Sequence, residues 1–334
     1  MYILALESSC DETSAAVVEM GEKRKILSNI VASQVETHAL YGGVVPEIAS
    51  RAHIEAISGI TEEALSQAGI PLSKIGAVGV TNRPGLIGAL LVGVSFAKAL
   101  AFSNGLPLVP VVHIHGHVAA NYFSYQDLKP PFLALVASGG HTSFLEVRSY
   151  TDFVTVGRTR DDAMGEAFDK VARVMGIPYP GGAEMDRLAS RGRADALVFP
   201  SAAIPDGSLD FSFSGLKTHV INYLHTQKLR GQEVSREDLA ASFTETVVSS
   251  VRKKLSLALE RTGCRTFVLA GGVSANSHLR EALRRDCEAR GIRFCVPPPS
   301  LCGDNAAMIG AQAYYEFLAG RVAPSSLNAY ASAE

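Results

Sequence analysis

Two stretches of the chain set apolar runs on either side of a short polar turn in the same way. "YILALESSCDETSAAVVE" near the start and "PFLALVASGGHTSFLEV" beyond residue 130 each read as strand, tight turn, strand, with apolar flanks of similar length. The order of elements after each hairpin is repeated too. After the first come a third strand near "ILSNIVASQ", a long helix opening at "PEIASRAHIEAI", a strand "IGAVGV", a helix from about Leu86, a strand "PLVPVV" and a helix containing His113. After the second, beyond an inserted segment, come a helix near Glu237 to Glu260, a strand "TFVLAGG", a helix from Ser274, a strand "RFCVPP" and a helix beginning near Asp304. The pattern predicts strand, strand, strand, helix, strand, helix, strand, helix, twice over.

A doubled α/β unit of that order predicts two sheet-centred lobes packed face to face, with ligands in the cleft at the strand ends. The expected boundaries are an N-terminal lobe at 1–130, a C-terminal lobe at 131–325 carrying a helical insertion at about 158–230, and a tail at 326–334. Composition agrees. With 334 residues, 47 % of them hydrophobic, and 30 glycines, the chain can fill two cores and is neither disordered nor fibrous. Its five cysteines (Cys10, Cys264, Cys287, Cys295, Cys302) are odd in number and show no C-x-x-C spacing, which argues against a disulfide framework or a zinc ribbon and fits a reducing cytoplasm. "MYILALESSCDE" resembles neither a signal peptide nor an anchor. The run "LIGALLVGVSFAKALAF" is rich in Gly, Ala and Ser, as a buried helix would be. A net charge of −2 requires any nucleic-acid binding to use a local basic patch.

Candidate chemistry concentrates in a few places. "HIHGH", 113–117, holds three of the nine histidines. On a helix His113 and His117 share a face and His115 points elsewhere. His113 and His117 follow the last strand of the first half and Asp304 follows the last strand of the second, so pseudo-symmetry would bring them face to face across the cleft. Two imidazoles and one carboxylate leave positions open on a metal, as a catalytic site requires, and suit Fe(II) or Zn(II). Histidines that merely pack a helix start are the alternative.

Turns supply the second signal. "SGGHT", 138–142, can present backbone N–H groups to a phosphate, though an unliganded Gly-Gly hairpin has the same sequence. Its counterpart "SSCDETS" is acidic, so Asp11 and Glu12 are cast as cation ligands or a general base rather than a phosphate cradle. "AGGVSANSHLR", 270–280, runs from strand into helix and places Asn276 to bond a nucleoside.

Together "ESSCDET", "HIHGHVAAN", "SGGHT", "DDAMGEAFDKVA", "YPGGAEMD", "FSFSGLKT", "GGVSAN" and "GDNAAMIG" resemble, in order and spacing and from the first strand to the last helix, the universal tRNA threonylcarbamoyladenosine transferase (TsaD) family. The resemblance implies the duplicated RNase H-like fold of actin, sugar kinases and Hsp70 (the ASKHA fold). It implies transfer of a threonylcarbamoyl group from threonylcarbamoyl-AMP to N6 of the adenosine on the 3′ side of the anticodon, in tRNAs reading codons that begin with A. By the same resemblance His113, His117 and Asp304 would hold the metal, most readily Fe(II). Val136, Ala137, Ser138, Gly139, Gly140, Asp169, Gly182, Asp186 and Asn276 would line the adenylate site, and Asp11 and Glu12 would lie near the reacting centre. Two positions depart from the pattern: Ala137 stands where another small apolar residue is more usual, and Ala183 where many relatives have proline, which would loosen that loop.

A TsaB-like paralogous subunit and a TsaE-like ATPase are implied as partners, with Pro46 to Ala68 and Leu86 to Phe102 as a docking surface. A basic rim of Arg158, Arg160, Lys170, Arg173, Arg187, Arg191 and Arg193 could meet tRNA phosphates. A small-molecule kinase of the same fold would normally place its metal through acidic side chains and phosphates rather than paired histidines. A metallopeptidase would need a glutamate where Ile114 stands.

Overall fold

The computed structural model describes residues 1–332, and its chain divides into two compact units. The first comprises 1–130, 149–152 and the C-terminal segment from Ser300; the second comprises 131–148 and 153–299.

The first unit is built on a five-stranded sheet in the order β3-β2-β1-β4-β5, formed by β1 (Tyr2–Glu7), β2 (Glu12–Glu19), β3 (Lys25–Ser33), β4 (Ile75–Arg83) and β5 (Leu108–Val112). The first three strands are antiparallel neighbours, and β1, β4 and β5 run parallel. Strands β1 and β4 are buried along nearly their whole length, as a sheet covered on both faces must be. Helices α1 (Pro46–Ala68) and α2 (Ile87–Asn104) join the strands, and α3 (His113–Ala119) leaves the end of β5. Both long helices end at a glycine in the left-handed conformation, Gly69 and Gly105. Helix α2 is the one helix among the described residues long and apolar enough to cross a membrane. Its Ala89, Leu90, Gly93, Val94, Ala97 and Ala101 are buried at helical spacing, as in a core helix.

The second unit repeats the plan. Its sheet has the order β10-β9-β6-β7-β8, from β6 (Phe132–Ala137), β7 (Thr142–Ser149), β8 (Asp152–Arg158), β9 (Thr266–Ala270) and β10 (Arg293–Cys295), so the two orders match strand for strand. The insertion supplies α4 (Met164–Val174), α5 (Gly182–Ala189) and α6 (Ser214–Leu229); α7 (Arg236–Thr262) and α8 (Ser277–Ala289) come after it. The insertion is pinned by charge as well as by its apolar core. Asp161 accepts hydrogen bonds from the N–H groups of Phe213 and Ser214 at the start of α6, and Asp162 lies between Lys170 (3.1 Å) and Lys217 (2.6 Å).

One boundary differs from expectation. The repeat places the last helix, α9 (Ala306–Leu318), in the second lobe, yet from Ser300 onward the chain belongs to the first unit. The cause is packing by small residues. A β-carbon on Gly310 would lie 2.7 Å from Val18 Cγ2, and one on Gly79 would lie 2.6 Å from the β-carbon of Ala313, so α9 rests almost directly on the backbone of the first sheet. The helix expected from Ser274 also begins later: 272–275 form a 3-10 turn, and Asn276 caps α8.

Candidate metal centre and its surroundings

Helix α3 starts immediately after β5, so His113 and His117, one turn apart, look the same way. Asp304 reaches them from the segment before α9, whose first turn is capped by Asn305 Oδ1 accepting from Met308 N at 3.0 Å. His117 Nε2 lies 3.2 Å and His113 Nε2 3.5 Å from Asp304 Oδ1, and the two rings meet edge to face with centroids 4.7 Å apart. All three residues belong to the first unit, so the expectation that the two halves must meet to assemble them is corrected: α9 brings Asp304 to the histidines within one unit.

The trio fits a metal ion on two observations. Both ring nitrogens of His117 are buried and make no hydrogen bond, Nε2 facing Asp304 Oδ1 at 3.2 Å without hydrogen-bond geometry, and a buried polar group left so costs about 1–3 kcal/mol unless something takes its lone pair. The 3.2 Å separation falls within, and the 3.5 Å separation just beyond, the ~3.0–3.4 Å expected between neighbouring ligands each ~2.1 Å from a common ion. Charge makes the same demand. The Glu12 carboxyl is pushed up to about 10 by burial and by the neighbouring carboxylates of Asp304 and Asp11. A cation would relieve that crowding. His115 stands apart, as expected from its phase: burial, with Arg83 and Arg321 nearby, drops it to about 3.

Around His113 lie groups with no role expected from sequence, although Glu7 and Ser9 both stand in "ESSCDET". Glu7, with no exposure at all, ends β1 and sets Oε2 3.0 Å from His113 Nδ1. It accepts from Thr81 Oγ1 and from the Ser9 N–H, both at 2.5 Å, while Ser9 Oγ lies 3.2 Å from the same His113 nitrogen. Burial opposes charge on Glu7, but His113 overrides it and lowers the carboxyl below its ordinary value. Burial likewise works against the His113 imidazolium, and Asp304 with Glu7 raises it to about 9. The available signal was a glutamate closing an otherwise apolar strand, "YILALE".

The acidic turn is held from behind by another unpredicted histidine. His53 in α1 is fully buried; its Nδ1 accepts from Thr13 Oγ1 at 2.7 Å and its Nε2 donates to the Cys10 carbonyl at 3.0 Å. Asp11 is buried and Glu12 half-buried, so the pair is not a solvated surface turn.

The residues expected to line an adenylate site lie in the second unit. Val136 and Ala137 are fully buried in β6. The turn beyond them is closed by Ser138, whose N–H donates to the His141 carbonyl (2.8 Å) and whose Oγ accepts from the His141 N–H (3.1 Å). Gly139 and Gly140 are exposed, with nothing within 4 Å of where a β-carbon would stand. The start of α4 approaches the turn: Gly165 donates to the Ser138 carbonyl at 3.1 Å. Asp169 accepts from the Gly181 N–H at 2.8 Å and fixes the turn before Gly182, the first residue of α5. Asp186 Oδ1 accepts from Ser277 N (3.0 Å) and Oγ (3.1 Å), and Asn276 Oδ1 caps α8 through Leu279 N (2.9 Å).

The basic rim is mostly compensated. Arg160 pairs with Asp206 and Asp210, Lys170 with Asp162 and Glu166, Arg187 with Glu184, and Arg193 with Asp238.

Comparison with known proteins agrees with this geometry. Residues 25–311 match the family model described as tRNA N6-adenosine threonylcarbamoyltransferase. The chain is 53 % identical to the protein of that name from Clostridium botulinum (strain 657 / Type Ba4), and 51 % identical to that from Clostridium beijerinckii. In both cases 98 % of this chain and 96 % of the relative are covered. Among solved structures it resembles T. kodakarensis HypF with a TM-score of 0.67 at 13 % identity, over 96 % of this chain and 48 % of that one, a likeness of fold. A duplicated ASKHA α/β fold, with a His-His-Asp trio in a chain related along nearly its whole length to these enzymes, has one consistent assignment: the chain belongs to the tRNA N6-adenosine threonylcarbamoyltransferase family.

Proposed function

We infer that the chain transfers the threonylcarbamoyl group of threonylcarbamoyl-AMP to N6 of the adenosine on the 3′ side of the anticodon, releasing AMP, in tRNAs that read codons beginning with A. The family relationship over 98 % of the chain carries this reading. The paired histidines also separate it from a kinase of the same fold.

The reaction forms a bond from N6 to the carbamoyl carbon and breaks the bond from that carbon to the AMP phosphate oxygen. The mixed anhydride is already activated, so no serine or cysteine nucleophile is required. Positioning, charge stabilisation and removal of one proton from N6 remain for the protein. His113, His117 and Asp304 would hold a divalent ion, Fe(II) by preference and Zn(II) as the alternative; when bound, it supplies Lewis-acid stabilisation of substrate oxygens. Asp11 or Glu12, on a buried turn held from behind by His53, orients N6 or receives its proton. Gly139 and Gly140 offer backbone N–H groups to the adenylate phosphate, with Ser138 closing the turn and Val136 and Ala137 fixing it from behind. Asp169, Gly182, Asp186 and Asn276 shape the nucleoside end.

A TsaB-like subunit is the proposed partner of α1 and α2, supported by exposed apolar side chains there: Ile54, Ile87, Leu91 and Phe102, the last 87 % exposed. A TsaE-like ATPase completes the proposed assembly. The five cysteines, none of them in a disulfide, suit the cytoplasm in which tRNA is modified.

The test combines the purified chain, both partners, unmodified tRNA and threonylcarbamoyl-AMP, with mass spectrometry of the digested nucleosides as readout. Modified adenosine is expected from the wild type and not from the His113→Ala, His117→Ala double variant. A folded, metal-loaded complex that makes none overturns the reading.

A further inference from the structure

His113 and His117 differ in what stands behind them. Nδ1 of His117 has no hydrogen-bond partner, whereas Nδ1 of His113 faces a carboxylate oxygen at 3.0 Å. That carboxylate is itself fixed: Glu7 is fully buried and accepts from Thr81 Oγ1 and the Ser9 N–H. An ionised carboxylate can only accept, so Nδ1 of His113 must carry a hydrogen, which leaves Nε2 as its ligating nitrogen on the side where Asp304 lies. The bond also polarises the ring and raises the basicity of Nε2.

We propose that Glu7 is a positioning residue for the metal centre: it holds His113 as the Nδ1–H tautomer, makes it the stronger of the two imidazole ligands, and thereby sets the affinity of the site. The inference rests on the metal reading of the trio.

Gln and Asp substitutions separate this role from simple space-filling. Gln has the shape of Glu without the charge, so a structural role predicts that Glu7→Gln stays closest to wild type and Glu7→Asp, which leaves a gap, fares worse. Positioning by charge predicts the reverse for metal and not for stability. In a chelator competition with Co(II), Glu7→Gln is expected to bind about 10–100-fold more weakly, the usual cost of removing such a partner, and to shift the visible Co(II) absorption. Glu7→Asp, keeping the carboxylate, is expected to fall between Gln and wild type in affinity while being the less stable variant in urea. Affinity of Glu7→Gln within twofold of wild type, with an unshifted spectrum, overturns the inference. If Glu7→Gln does not fold, Glu7→Asp at full wild-type affinity overturns it. His117→Ala is the control for the reading beneath: wild-type protein holding no Co(II) that this variant loses would refute the metal centre itself and the inference with it.

Discussion

The contact that makes the metal trio a feature of one unit can be tested by adding a single methyl group. Gly79 in β4 lies under Ala313 of α9, and a β-carbon on Gly79 would stand 2.6 Å from the Ala313 β-carbon. Carbon atoms in ordinary contact are about 3.5–4.0 Å apart, so strand and helix must separate by about 1 Å, and neither methyl has a rotamer through which to escape. Overpacking of this kind costs about 1–3 kcal/mol, and replacing a strand glycine by alanine returns about 0.5–1 kcal/mol of backbone entropy. Gly79→Ala is therefore expected to lose about 1–2 kcal/mol in urea denaturation of the metal-free protein. The displaced helix carries its cap Asn305 and, next to it, Asp304, so separations now at 3.2 and 3.5 Å should open. Metal affinity should fall on the order of tenfold, the lower end of what disturbed ligand orientation costs. Ala313→Gly alone should cost about 1 kcal/mol in helix propensity, but combined with Gly79→Ala it should restore both the spacing and the affinity. The double-mutant cycle then shows a favourable coupling of at least about 1 kcal/mol. Gly79→Ala with unchanged stability and metal binding, or a cycle with no coupling, would refute the argument that this close approach brings Asp304 to the histidines.

Other expectations rest on single groups. Asp304→Ala should abolish metal retention and threonylcarbamoyl transfer together while the protein stays folded, checked by metal analysis and the nucleoside assay; full activity without metal would contradict the assignment. Asn276→Ala should lose about 1 kcal/mol of stability, because its side chain caps α8, and in addition raise KM for the adenylate; stability loss with an unchanged KM would leave it a cap only. His53 gives a pH dependence. Burial holds its imidazole below the ordinary value of 6.5, so the folded protein takes up this proton less readily than the unfolded chain. Its contribution is full above that ordinary value and is lost as pH falls below it, with a slope of at most about 1.4 kcal/mol per pH unit for one proton. In His53→Gln the acid-side loss measured by urea denaturation should be shallower than in wild type; an identical pH profile would show that His53 does not titrate on unfolding.

Duplication of the chain was legible because it rests on periodicity. Strand hairpins flanked by apolar runs and helices at 3.6-residue spacing occur twice, and the sheet orders β3-β2-β1-β4-β5 and β8-β7-β6-β9-β10 repeat that order in space. The unit to which the last helix belongs was not legible. A helix rich in alanine, "AAMIGAQAYYEFL", packs on any smooth surface, and its partner is chosen by the positions of Gly79 and Gly310. Those glycines acquire meaning only when the facing methyl groups are known.

The same distinction governs the site. His113 and His117 stand out by residue type and spacing, with helix packing as the alternative, whereas Asp304 is reached only through the expected pseudo-symmetry and the family resemblance. Glu7, Thr81 and His53 act through partners 106, 74 and 40 residues away in the sequence. In isolation each looks ordinary: a glutamate beginning a polar turn, a threonine in a strand, a histidine in an amphipathic helix. The fold changes their meaning by removing water. An exposed Glu7 would exchange His113 for solvent at little cost, whereas a buried one must keep His113, Thr81 and Ser9 or lie unsatisfied in the core. Burial therefore turns an ordinary glutamate into a fixed acceptor, and a fixed acceptor decides which nitrogen of His113 is left for a metal.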